Sequence, residues 1–88
     1  MKQLKTEKVR AKELTHNQIG ERVQFYWKFP LSDVRAVIMG DLREVHHDGE
    51  GVTVWLAGRN SEGDKQEFQM SPMSLVSVVR EVNPFVHA

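Results

Sequence analysis

The chain has no cysteine among its 88 residues. Disulfides and cysteine-ligated zinc are therefore excluded as staples of the fold. It also lacks any run approaching the ~20 consecutive apolar residues of a membrane-spanning helix. The opening "MKQLKTEKVRAKEL" has no apolar core of the kind a signal peptide needs. These absences lead to the expectation of a cytoplasmic protein. Gly-rich phosphate loops and a serine in a nucleophile-elbow context are missing too. The carboxylates Glu62 and Asp64 sit in an apparent turn and read as solvated charge. The expectation is a protein that is not an enzyme and carries no cofactor.

Neither sign of charge is in excess, with twelve Lys and Arg against twelve Asp and Glu. The distribution is uneven. Residues 1–12 hold five cations (Lys2, Lys5, Lys8, Arg10 and Lys12) against the single acid Glu7, a local +4. The remainder is correspondingly −4. A basic arm on an acidic body is a pattern found in nucleic-acid binders, and also in solvated termini.

A chain this short forms one domain at most, and buries only roughly 60% of the surface its unfolded form exposes. What is present is short apolar runs punctuated by Gly and Pro at roughly 8–12-residue intervals, the pattern of a small all-β domain. In "RVQFYWKF", Val23, Phe25, Trp27 and Phe29 fall on one face and Arg22, Gln24, Tyr26 and Lys28 on the other. A period of two with four large apolar residues on one side is a strand. Pro30 ends it.

Before it, Val9–Leu14 can form a short strand. Thr15 is placed to cap one turn over "HNQI", Gly20 to stop that turn, and Ile19 to point to the core. After it, Val34, Ala36, Ile38, Gly40 and Leu42 keep one phase that Val45 breaks. A bulge near Arg43–Glu44 would return Val45 to the core side, and Gly40 suggests a bend. "VTVWLA" then places Val52, Val54 and Leu56 inward and Trp55 outward. "KQEFQM" supplies a strand with Phe68 and Met70 inward. "SPMS" has the composition of a tight turn, and "LVSVV" is a last strand.

This order resembles the five-stranded SH3-like and Sm-like small barrels. The resemblance rests on "VIMGDLREVHHDGEGVTVWL" and on "SPMSLVSV", and it covers residues 20–80. The Sm family's RNA-contacting residues do not carry over. Asp48 lacks the Asn that follows in that family, and "SPMSLV" stands where its Arg-Gly or Lys-Gly pair would be. The opening "VRAKELTHNQIGERVQF" is similar to small uncharacterised proteins of actinobacterial phages and prophages. The expected organisation is a basic N-terminal arm over 1–12, a barrel over 13–80 and an apolar tail over 81–88.

The stretch "EVHHDGEG" concentrates reactive side chains: His46, His47, Asp48 and Glu50. Zinc needs three or four ligands converging on one point, and neighbours on a strand point to opposite faces. His16 and His87 are distant in sequence. No metal site is expected. Asp48-Gly49 reads instead as a hairpin turn with positive φ at both central positions, and Gly51 as a bulge just past it.

Two functional readings follow. The first is a non-catalytic protein-interaction or assembly module, using the outward aromatics Tyr26 and Trp55, the neighbouring Arg22 and Lys28, and Phe85 of the tail. The second is a nucleic-acid-binding barrel using Lys2, Lys5, Lys8, Arg10 and Lys12 together with the Arg22/Tyr26/Lys28 face.

Overall fold

The computed structural model describes residues 3–58 and 64–82. Among these residues six antiparallel strands form one sheet: β1 (Gln3–Arg10), β2 (Arg22–Lys28), β3 (Arg35–His47), β4 (Val52–Ala57), β5 (Gln66–Met70) and β6 (Leu75–Val82). Their order is β1-β6-β2-β3-β4-β5. The five strands expected of a barrel are present, and the short strand expected before them is the longer β1; among the described residues the sheet is open rather than closed, with β1 and β5 as its edges. No helix among the described residues is long and apolar enough to cross a membrane.

Strand β3 shapes the sheet. Its first half, Arg35–Asp41, pairs with β2, and its second half, Asp41–His47, pairs with β4. The two ladders overlap only at Asp41. Just beyond it, the register shifts between Leu42 and Glu44, so Arg43 is the extra residue of a β-bulge. Leu42 is buried and Val45 packs against the core, as the broken alternation requires. The loop before β2 fastens this bend: Gly20 N–H donates to the Leu42 carbonyl at 2.7 Å, and Leu42 N–H donates to the Glu21 carbonyl at 2.9 Å. Gly20 has φ +91°, a conformation that side-chain-bearing residues rarely adopt.

The core is apolar throughout. Leu14, Val23, Phe25, Leu42, Val52, Val54, Leu56, Phe68, Val76 and Val78 form one cluster with Ala11. Burying each large member stabilises the fold by about 1.5–3 kcal/mol. The half-exposed pair Arg80–Glu21, with Nε 3.0 Å from both carboxylate oxygens, contributes at most about 1 kcal/mol. Hydrophobic burial therefore dominates. Phe68 on β5 meets Phe25 and Trp27 on β2 edge to face, with ring centroids 5.4 and 5.1 Å apart. Two strands lie between β2 and β5 in the sheet, so the sheet curls until its far parts touch.

Several expectations are corrected. The first strand is Gln3–Arg10, not Val9–Leu14, and Ala11–Glu13 is a 3₁₀ turn. The chain leaves β6 there: Ala11 N–H donates to the Ser74 carbonyl at 2.8 Å and Lys12 N–H to the Pro72 carbonyl at 2.9 Å, which delivers Leu14 to the core. Phe29 and Val34 are exposed, because the β2–β3 hairpin extends past the strands that could cover its end. Its loop closes with Phe29 N–H on the Val34 carbonyl at 2.8 Å and with Asp33 at φ 59°, leaving Leu31 fully exposed.

Thr15 does cap a 3₁₀ turn, His16–Gln18, its hydroxyl accepting from Asn17 N–H at 3.2 Å. Ile19, however, is exposed rather than in the core. The β3–β4 connection is also different. Neither Asp48 nor Gly49 has positive φ. Asp48 Oδ1 instead accepts from Glu50 N–H and Gly51 N–H, both at 2.8 Å, making an Asx-type turn across a four-residue loop. Gly51 serves by its lack of a side chain, since a Cβ there would stand 3.0 Å from the Met70 carbonyl oxygen.

Candidate functional site

Alternation on β2 turns Phe25 and Trp27 inward and Tyr26 outward. With its neighbours packed on Phe68, the Tyr26 backbone is held while its ring stands 87% exposed. Cross-strand partners complete the face. Tyr26 is directly opposite Val37, and Gln24 is opposite Met39. On the other side, Gln24 pairs with Ser77 of β6, and continuing that register brings Leu75 beside Tyr26. Ser77 pairs in turn with Lys8 of β1, and Leu75 with Arg10. Val37, Met39 and Leu75 are each about half exposed, at 51%, 56% and 52%. Lys8, Gln24, Tyr26, Val37, Leu75 and Ser77 line a cleft of about 110 Å³ on this face.

The structure thus brings together Tyr26, Lys8 and Arg10, three residues singled out in the sequence. Arg10 Nη1 donates to the Met73 carbonyl at 2.9 Å, fixing that guanidinium beside the face. Lys28 lies two residues beyond Tyr26 on the same side, directly opposite Arg35 of β3. Asp33 comes within 3.1 Å of Lys28 and offsets part of the repulsion. Arg22 lies at the other end of the strand, opposite Asp41. Lys5 does not join them. It alternates with Lys8 to the other side of β1, across from Arg80. Lys12 is exposed in the 3₁₀ turn. Lys2, Glu62, Phe85, His87 and the chain beyond Val82 lie outside the described residues.

Sequence reasoning missed Val37, Met39, Leu75 and Arg35. The first two were readable from the phase of β3, which sends them opposite to Ala36 and Ile38. Leu75 and Arg35 needed the pairing.

Trp55 occupies a different place. It is half-buried and lines a groove with His16, Ile19, Arg43, Glu44 and His46, beside the bulge. Neither β1 nor any other described strand brings it to Tyr26. The adjacent histidines diverge: His46 faces that groove, whereas His47 Nε2 lies 2.7 Å from the Leu14 carbonyl. A carbonyl only accepts, so Nε2 carries the proton. Among the described residues no three His, Asp or Glu side chains converge as metal ligands. The acceptor role of Asp48 toward Glu50 N–H, and next toward Gly51 N–H, holds its carboxyl below the ordinary carboxylate range. The charge of nearby His46 adds to the same direction, and the shift belongs to a turn on the surface.

No protein-family model, curated protein or solved structure matches this chain.

Proposed function

We propose that the protein is a non-catalytic binding module whose partner lies against the outward face of β6, β2 and β3, over Tyr26. The observation that carries this reading is a nearly fully exposed tyrosine on a strand whose neighbouring aromatics are anchored in the core. Loose surface aromatics are common in loops; one held this way is pre-organised for contact and loses little entropy on binding. Val37, Met39 and Leu75 extend the apolar area around it. The order of the last five strands supports reading the body as an SH3-like or Sm-like small barrel, with β1 added beside β6.

A protein partner, a second copy of the chain and a nucleic acid are the occupants this reading admits. It is tested with immobilised wild-type protein and with Tyr26→Ala, Val37→Ser and Glu67→Gln variants, exposed to extract from the cells that make the protein. Wild type and Glu67→Gln, which is altered at the far edge strand, are expected to retain the same component. Tyr26→Ala and Val37→Ser are expected to lose it while keeping the wild-type circular dichroism. Equal retention by the wild type and all three variants would remove the Tyr26 face from the account.

A further inference from the structure

Charge is unevenly placed. Glu44, Asp48, Glu50, Asp64 and Glu67 lie on the second half of β3, on β5, or in the loops beside them, with Arg43 and Lys65 among them. On the Tyr26 side the acids include Asp33, paired with Lys28, and Asp41, opposite Arg22. Around Tyr26 the outward side chains include Lys8 and Arg10 on one side and Lys28 and Arg35 on the other. Lys28 and Arg35 sit directly opposite each other, an arrangement of like charges that costs stability and that Asp33, 3.1 Å from Lys28, offsets in part.

The spacing is informative. Adjacent strands lie roughly 4.8 Å apart and residues along a strand rise roughly 3.3 Å. Arg10 is two strands from Tyr26, and Lys28 is two residues from it. Cations therefore lie roughly 7–10 Å from the ring in two directions, Arg10 across the sheet and Lys28 along β2. Single strands bind by stacking a base on an aromatic ring while nearby cations hold the backbone.

From this placement we infer that the Tyr26 face binds single-stranded nucleic acid, with a base stacked on Tyr26 and the flanking phosphates held by Lys8 and Arg10 on one side and by Arg35 and Lys28 on the other. The inference rests on the binding role proposed for this face and names its occupant. Two features favour a nucleic acid over a protein. The cleft beside the ring, about 110 Å³, is small for a pocket that takes a protein partner's anchor residue. Lys8 and Lys28 are of a type depleted in protein interfaces, and lysine and arginine alike hold phosphates.

The test is fluorescence anisotropy with labelled oligothymidylate and oligouridylate, and with a duplex of equal length, using the full chain. Single strands are expected to bind more tightly than the duplex. Their affinity should fall about 20-fold between 50 and 200 mM salt if three phosphates are contacted. Tyr26→Ala should weaken binding by about 5- to 100-fold, and Tyr26→Phe should restore most of it. Lys8→Gln with Arg35→Gln should flatten the salt dependence. Absence of binding at 50 mM salt overturns the inference, as does binding that Tyr26→Ala leaves unchanged. If no oligonucleotide binds but a protein is retained in a Tyr26-dependent way, the inference fails while the binding-module reading stands.

Discussion

The rings of Phe25 and Phe68 meet edge to face at 5.4 Å, although β2 and β5 are not neighbours in the sheet. This contact closes the curl and holds Tyr26 outward by fixing the residue before it. Phe68→Ala is therefore expected to cost about 3–5 kcal/mol in urea unfolding, as large aromatic truncations in cores do. For a domain of this size that is a large share of a total of roughly 4–13 kcal/mol. Phe29→Ala, at the uncovered end of the hairpin, is expected to cost less than about 1 kcal/mol.

Tyr26→Ala is expected to leave stability within about 1 kcal/mol of wild type, because an 87%-exposed ring contributes little to the core. Thermal unfolding checks this. The result matters beyond stability, since a well-folded Tyr26→Ala protein makes any loss of binding attributable to the face itself.

The bulge makes an unusual deletion tolerable. Arg43 is the extra residue between Leu42 and Glu44. Removing it leaves Leu42 inward, Glu44 outward and Val45 inward, in regular alternation. Deletion of Arg43 is expected to leave a cooperative urea transition. Deletion of Met39, in the same strand, reverses the facing of one half of β3 relative to the other and is expected to abolish cooperative folding.

Asp48 gives the turn an acid sensitivity of defined sign. Its carboxyl is held below the ordinary range, so its contribution to stability is present above the unfolded value of 3.8 and fades as pH falls through the lower folded value. Asp48→Asn keeps an acceptor oxygen but cannot titrate. The wild-type advantage over Asp48→Asn, measured by urea unfolding at a series of pH values, is expected at neutral pH and to vanish in strong acid. An advantage that persists there would contradict the assigned role.

Strand β2, the tight turn at Ser71–Ser74 and the bulge were legible because each leaves a local mark: a period of two, a turn composition, or a break in phase. Phe29 and Val34 show what alternation does not contain. It assigns a face, and whether another strand covers that face depends on how far the partners extend. Strand β1 had no apolar period to reveal it. Its residues Lys5, Glu7 and Val9 alternate with Leu4, Thr6 and Lys8, and it is held by pairing with β6, nearly the whole chain away.

The same non-local pairing explains the site. Lys8 and Arg10 meet Tyr26 only because β6 lies between β1 and β2. Of the cations that read as an arm, Lys8 and Arg10 are part of this sheet face. At Asp48 the letters pointed to a turn correctly, but the hydrogen bonding of the carboxylate, not left-handed backbone, makes it.

The most direct measurement is photo-crosslinking from a benzoylphenylalanine placed at position 26, with position 67 on the opposite edge strand as the control, in the cells that make the protein. The account expects discrete adducts from position 26 and none of the same species from position 67, with the adducts from position 26 shortened by nuclease. Adducts from position 67 alone, or the same adducts from both positions, would contradict it.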